Sequence, residues 1–251
     1  MIPWREKWRA FAIHFVVTLI LAAGAAAIIF GVWFPDPLDK LVGGAELFVL
    51  VVGCDLVLGP LLSLVIFDSR KSRRKLIFDY TVVGIIQLTA LVYGVWIVAS
   101  SRPVYVVFVG DRLEVVAAAD IRPSELAAAQ DPLYRTVALT GPRLVAIRVP
   151  PADRDDALFQ ALDGNEEQAR PKFYVPYEAQ LDGIRKHALP LDDLRKRHPE
   201  GQSMLADARA KTGLPEERLR YLPVRYREKF WTVLVDAQSG KPLAYFALDP
   251  Y

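Results

Sequence analysis

Two long apolar runs, separated by eight residues rich in positive charge, constrain this chain more than any other feature of its sequence. The runs cover residues 47–67 and 76–98. Each is long enough to cross a hydrocarbon layer of about 30 Å as a helix. The short connection forces the two helices to run antiparallel, and its charge is costly to move across a membrane. The sequence therefore predicts a transmembrane hairpin with a cytoplasmic tip. The topology signal in that tip consists of Arg70, Lys71, Arg73, Arg74 and Lys75.

A third apolar run, residues 11–34, lies near the N-terminus and follows three basic residues. A cleaved signal peptide has the same beginning and is the alternative interpretation. However, the run continues without a charged residue to spanning length, and no polar stretch follows its alanine-rich part. We therefore favour an uncleaved first transmembrane helix, with Trp4, Trp8 and Trp33 as interfacial anchors.

The distribution of charge predicts the orientation of these helices. Of the nine basic residues before Ser100, eight lie at the N-terminus or in the hairpin tip, and only Lys40 lies in the loop 35–46. Positive charge is retained on the cytoplasmic side. The sequence predicts a membrane domain, residues 1–100, with a cytoplasmic N-terminus, followed by a periplasmic domain, residues 101–251, if the host is a bacterium. The second domain has 22 basic and 22 acidic residues, so no basic field is left for nucleic acid.

Four residues within the apolar runs depart from the lipid-compatible pattern. Asp55 and Gln87 come to a similar depth, about 12 Å from the outer surface at 1.5 Å per residue. A hydrogen bond between them that locks the hairpin is favoured over a proton or ion path, which needs several such groups in register. Gly59 and Pro60 are expected to kink or locally open their helix. We take these four as the intramembrane polar and packing residues.

The sequence has no recognisable catalytic, cofactor or metal site. It lacks nucleotide-binding glycine loops, a serine nucleophile motif and a zinc-protease motif. His187 and His198 flank Asp192 and Asp193, but surface helices often produce such groupings, so metal binding is not favoured. The one cysteine, Cys54, excludes an intramolecular disulfide. We expect a protein that is not an enzyme and has no cofactor.

The pattern of residues 101–251 predicts an α+β domain with one antiparallel sheet and helices on one face. Turn residues separate short runs of β-branched and aromatic residues, whereas the middle of the domain has helical spacing. Hairpins are predicted at 103–109 with 113–116, at 136–139 with 143–149, and at 230–235 with 243–248. Helices are predicted from Pro123 and at 153–162, 177–187, 191–197 and 202–211.

Several sequence strings resemble the TfpX/TfpZ-type type IV pilin accessory proteins. They are GCDLVLGPLL at residues 53–62, YGVW at 93–96, SRPV at 101–104 and KWRAFAIH at 7–14, together with the basic hairpin tip. The resemblance is specific over about the first 115 residues. It implies a non-enzymatic protein of the bacterial inner membrane whose partners are the lipid bilayer and a type IV pilin, through the pilin's membrane helix and periplasmic head. It further implies that the protein supports pilin stability or pilus assembly.

An alternative of a different class remains open at this point. The outer domain could be a sensor or a ligand-binding domain that uses the three helices only as an anchor. A ligand pocket within residues 101–251 would favour this alternative, whereas partner contacts shared between the second helix and the outer domain would favour the accessory protein.

Overall fold

The computed structural model describes residues 4–68 and 71–251, and these fall into two compact units. The first unit contains the residues up to Phe34 together with Gly43–Ser101. The second contains Pro35–Val42 and Arg102–Tyr251. The loop after the first apolar run therefore belongs by its contacts to the second unit, where Leu38, Leu41 and Val42 are buried.

Long helices form the first unit, as the apolar runs predicted. Helix α1 spans Trp4–Ile28 and continues as a π-helical turn over Ile29–Trp33. The short helix α2, Leu38–Val42, belongs to the second unit, and the first unit resumes with α3, Gly44–Ile66, and α4, Arg73–Ser101. Within the described part of the chain, the helical segments Trp4–Trp33, Gly44–Ile66 and Arg73–Ser101 are long and apolar enough to cross a membrane. All three begin earlier than the apolar runs, because charged and small residues extend the first turns.

Helix α3 packs against both α1 and α4, whereas α1 and α4 barely touch each other among the described residues. Close approach of α3 and α4 depends on Gly94, where an added Cβ would lie 2.1 Å from Val51 Cγ1. Lysines bind the carbonyl groups at the end of α3: Lys7 Nζ donates to Leu64 O at 2.8 Å and Lys71 Nζ to Ile66 O at 2.9 Å. The start of α1 and the loop that follows α3 therefore lie at the same end of the unit.

The outward faces of these helices are strongly apolar. The side chains of Ile20, Leu50, Val65 and Phe78 are 65%, 66%, 76% and 67% exposed. Soluble monomers rarely expose contiguous apolar surface of this kind. The first unit thus has the surface that a hydrocarbon environment requires.

The described part of the second unit contains a seven-stranded sheet with the order β4-β3-β1-β2-β5-β6-β7. Its strands are β1 Pro103–Val109, β2 Arg112–Ala117, β3 Arg143–Ile147, β4 Tyr174–Pro176, β5 Leu219–Tyr226, β6 Lys229–Asp236 and β7 Pro242–Phe246. Its further helices are α5 Pro123–Ala127, α6 Arg154–Leu162, α7 Leu181–His187, α8 Leu191–Arg197 and α9 Gln202–Thr212.

The sheet is mixed, so the prediction of an antiparallel sheet is wrong. Of the three predicted hairpins, strands β1 and β2 form the first, and β6 and β7 form the third. However, β3 pairs with β1 in parallel, and residues 136–139, predicted to pair with it, form no strand. Strand β2 pairs with β5, also in parallel. Long crossovers through helical segments connect these parallel neighbours, as parallel pairing requires.

Helices cover both faces of the sheet, which also corrects the prediction of helices on one face. All seven residues of β1 are buried, and successive side chains of a strand point to opposite faces. Tyr105 and Val107 pack in a core that includes Ala157 of α6. The Phe108 ring points the other way, towards α7, where it lies 3.5 Å from the position of a Cβ on Gly183.

The two halves of the sheet meet at β2 and β5 through a short pairing that an ion cluster reinforces. Only Leu113 with Val224 and Glu114 with Arg225 are in register there. The Glu114 carboxylate, 3% exposed, lies 2.6 Å from Arg112 Nε and 2.8 Å from Arg225 Nε. Burial by itself lowers the pKa of both arginines, but the hydrogen bonds and charge of Glu114 outweigh it, so both pKa values are raised. Both guanidinium groups therefore contact one buried carboxylate, which joins the two halves of the sheet.

A second buried carboxylate, Asp236, organises the turn between β6 and β7. It accepts hydrogen bonds from Ser239 Oγ at 2.8 Å, from the Gln238 N–H at 3.2 Å and from Arg218 Nη2 at 2.7 Å. Desolvation raises the pKa of Asp236, but these hydrogen bonds and the Arg218 charge together lower it by more. The pKa therefore lies below its ordinary value of 3.8. The ionised form thus stabilises this end of the sheet.

Candidate functional site

Polar side chains from all three long helices converge above Gly59 of α3. His14 of α1 lies 2.6 Å from the Ser63 hydroxyl of α3, measured from Nδ1 to Oγ. A Cβ on Gly59 would lie 3.1 Å from His14 Nε2 and 1.9 Å from Gln87 Nε2. Gly59 is therefore needed for space, because any side chain there would displace the glutamine of α4 and press on the histidine. Pro60 is buried beside it, and α3 continues through both residues without opening.

Asp55 lies on the same side of α3, where it lines a cavity of about 270 Å³. The other polar groups of this cavity belong to His14, Thr18 and Gln87, and its remaining lining is apolar or glycine. No hydrogen bond joins Asp55 to Gln87 or to any other described residue. The expected direct contact across the hairpin is thus replaced by a cavity that both side chains face. Their role in helix packing stays a prediction.

A second cavity, of about 670 Å³, shares His14 and Val17 with the first. It extends towards the start of α1, where Glu6 and Arg9 line it, and Tyr80 of α4 lines its opposite wall. The Tyr80 hydroxyl is buried and has no hydrogen-bond partner among the described residues. The two cavities together form a groove between α1 and α4 with α3 as its floor, which we call the α1–α4 groove.

The groove offers hydrogen-bonding groups rather than a catalytic or metal-binding constellation. Its middle presents a carboxyl, an amide, an imidazole and a hydroxyl within apolar walls. Within residues 4–68 and 71–251, no group of three or more His, Cys, Asp and Glu side chains is placed to hold a metal ion. Such an arrangement can bind a polar group that would otherwise be unsatisfied in an apolar environment.

Sequence reasoning identified Asp55, Gln87, Gly59 and Pro60 but did not include His14 among the intramembrane polar residues. The structure starts α1 at Trp4, seven residues before the apolar run, so His14 lies almost three turns inside the helix. The contact of His14 with Ser63 depends on the rotation of α1 about its axis. The sequence signal was the occurrence of two polar residues, His14 and Thr18, one turn apart on one face of an apolar segment.

The described residues of the predicted topology signal lie at one end of the first unit, between α3 and the first turn of α4. Lys71 forms an ion pair with Asp79 of α4 at 2.6 Å, in addition to its bond to the α3 carbonyl. Arg73, Arg74 and Lys75 are exposed in the first turn of α4. Arg70 lies outside the described residues.

The second unit has a polar cavity of about 230 Å³ beside β2 and β5, and five of the six charged residues that line it pair with one another. Arg225 pairs with Glu114 and with Glu166 at 2.8 Å each, and Arg227 lies 3.4 Å from Asp120. A pocket for a charged ligand keeps charge uncompensated until the ligand binds. This cavity therefore does not favour a ligand-binding domain.

Helix α6 has an exposed apolar face that sequence reasoning did not single out. Leu158, Phe159 and Leu162 are 63%, 67% and 78% exposed. Their spacing, i, i+1 and i+4, places them on one side of the helix. The same spacing in the sequence could have indicated this apolar face, but the helix has only nine residues.

Comparisons with known proteins give one consistent result. A family model described as fimbrial assembly protein FimB matches residues 2–43. The chain is 35% identical to the fimbrial assembly protein of serogroup I of Dichelobacter nodosus and 33% identical to that of serogroup E1, each over 228 residues, which are 89% of this chain and 88% of the relative. It is 39% identical over 114 residues to the protein of serogroups C1 and C2, covering 45% of this chain and 87% of the relative. No solved structure matches it.

Proposed function

The chain belongs to the fimbrial assembly protein (FimB) family, and on that premise we propose that it is an accessory protein of the bacterial inner membrane that holds fimbrial subunits, of the type IV pilin class, for assembly. The name shared by its relatives supports a role in assembly rather than in catalysis. The resemblance to TfpX/TfpZ-type proteins in residues 53–62 supports the pilin as the subunit.

The observation that carries this proposal is the first unit, whose three apolar helices expose a groove with a polar floor. A type IV pilin awaiting assembly is a membrane protein with one helix, so a partner within the bilayer fits this surface. The role needs no bond chemistry, because holding a subunit in the membrane until it joins the fimbria requires only reversible contacts.

The proposed orientation places the N-terminus in the cytoplasm and residues 101–251 in the periplasm. Its support is the charge distribution, because Lys7 and Lys71 lie at the same end of the unit as the exposed Arg73 and Arg74. The second unit would then lie on the side where the heads of fimbrial subunits are located, and the short connection at Ser101 would keep both units near one subunit.

Deletion of the gene tests the proposed function. We expect fewer surface fimbriae or a lower amount of fimbrial subunit in the membrane. The full chain, supplied at its normal abundance, should restore both. Immunoblots of membrane fractions and electron microscopy of cells provide the measurements. Normal fimbriation and normal subunit levels in the deletion strain would reject the proposal.

A further inference from the structure

The dimensions of the α1–α4 groove match those of a transmembrane helix. On α1, its lining extends from Glu6 to Ala22, a distance of about 24 Å at 1.5 Å per residue. This is most of a hydrocarbon layer of about 30 Å. The groove exists because α3 separates α1 from α4. Gly84 of α4 lines it without a side chain, and the space where its Cβ would lie is open, with no atom within 4 Å.

The polar groups that line the groove identify the chemistry of the occupant. The Asp55 carboxyl and the Gln87 amide face it without a hydrogen bond to a described residue, and the buried Tyr80 hydroxyl is likewise unpartnered there. Polar groups within a membrane normally face the interior of a helical bundle and are paired. Lipid acyl chains cannot pair with them. A helix that carries a hydrogen-bonding side chain at the depth of Asp55 can.

A second copy of this chain does not fit the groove equally well. At the depth of Asp55 and Gln87, the described outward-facing polar groups are the thiol of Cys54 and the hydroxyl of Thr89. The Thr89 hydroxyl already donates to Ile85 O at 2.8 Å, and a thiol is a weak donor. A hydrogen-bonding side chain of another protein therefore complements Asp55 and Gln87 better than a second copy of this chain does.

We propose that the α1–α4 groove binds the transmembrane helix of a fimbrial subunit, and that a hydrogen-bonding side chain of that helix meets Asp55 and Gln87. This inference rests on the proposed function and identifies the surface that performs it. Helices α1, α3 and α4 and the bound helix then form a temporary bundle of four helices. This bundle shields the polar group of the subunit from lipid until the subunit joins the fimbria. Association through small residues and interhelical hydrogen bonds is weak enough to be reversible.

Photo-crosslinking in intact membranes tests the location directly. A benzophenone side chain is placed in the full chain at Thr18 or Leu88, which line the groove. The matched controls are Leu19 and Ile86, which have similar depths but line neither cavity of the groove and are 46% and 61% exposed. We expect the product of this chain with the fimbrial subunit, detected by antibodies to both, at the groove positions and not at the controls.

Filling the groove tests its function with a pair of glycine substitutions. Gly84→Leu places a side chain in the groove, whereas Gly53→Leu places one on α3 at the depth of Asp55 but outside the cavity lining. Neither Cβ meets an atom within 4 Å, so both variants should fold. Gly84→Leu should abolish the crosslink at Thr18 and reduce fimbriation at normal protein abundance, and Gly53→Leu should change neither. Asp55→Leu should lower the crosslink yield about three- to thirtyfold, and Asp55→Asn much less.

Each outcome distinguishes the inference from the proposed function. Crosslinks from Thr18 to a second copy of this chain, or equal crosslinks from groove and control positions, would overturn the inference. If gene deletion lowers fimbriation but the groove positions capture no subunit, the function stands and the groove is not its site. If deletion has no effect, the proposed function fails, whatever the crosslinks show.

Discussion

Replacement of Glu114 with alanine is expected to loosen the join between the two halves of the sheet. Strands β2 and β5 are in register at only two residue pairs, and one of them is Glu114 with Arg225. The substitution removes the carboxylate that both Arg112 and Arg225 contact. It therefore leaves two partly buried guanidinium groups without their central counter-ion, at the narrowest part of the sheet.

The structure sets the size of this effect. Removal of one partner from a fully buried ion pair costs about 3–5 kcal/mol. The side chains of Arg112 and Arg225 are 28% and 25% exposed, so water can reach part of each, and they retain the carboxylates of Asp111 and Glu166. We therefore expect Glu114→Ala to lower the free energy of unfolding of the second unit by about 2–3 kcal/mol. Glu114→Gln keeps the shape and one acceptor and should cost less.

A urea titration of the full chain in detergent micelles measures this change, with a short protease pulse at each concentration to detect unfolded second unit. With a slope of about 2 kcal/mol per molar urea, the midpoint should fall by about 1 M or slightly more. Glu217→Ala is the control, because Glu217 is exposed and forms no ion pair with a described residue. A midpoint for Glu114→Ala within the scatter of this control would refute a structural role for the ion cluster.

Three further predictions concern packing, pH and orientation. Gly94→Ala should destabilise the α3–α4 pair by about 1–3 kcal/mol, and Val51→Ala in the same chain should restore it, as measured by thermal melting in micelles; failure of the restoration would contradict the close contact. Because the pKa of Asp236 is lowered in the folded state, its contribution is complete above its ordinary value of 3.8 and is lost as the pH falls below that value. Urea midpoints between pH 5 and pH 3 should therefore fall less in Asp236→Asn than in the unmodified chain, and an equal fall would exclude this cause. An alkaline phosphatase fused after residue 105 should be active and one fused at Ser72 inactive; the reverse pattern would invert the proposed orientation.

Local patterns allowed the sequence to predict much of the fold. The apolar runs predicted the long helices, because a run of spanning length has few other stable forms, and Gly110 with Asp111 marked the β1–β2 hairpin. Strand β5 was missed, because arginines at 220 and 225 and the proline at 223 break the apolar alternation of its sequence. The proline is tolerated because β5 pairs with β2 only beyond it, at Val224 and Arg225.

The candidate site divides in the same way between sequence and tertiary structure. The sequence by itself determined that Asp55, Gln87 and Gly59 lie at unusual positions within apolar helices, because charge, polarity and the lack of a side chain are properties of single residues. Only the tertiary structure decided that α3 separates α1 from α4, that His14 joins the cluster, and that a cavity rather than a hydrogen bond lies between Asp55 and Gln87. It likewise decided that β1 pairs in parallel with β3. Helix rotation and strand order depend on contacts between residues far apart in the chain, and no local pattern encodes them.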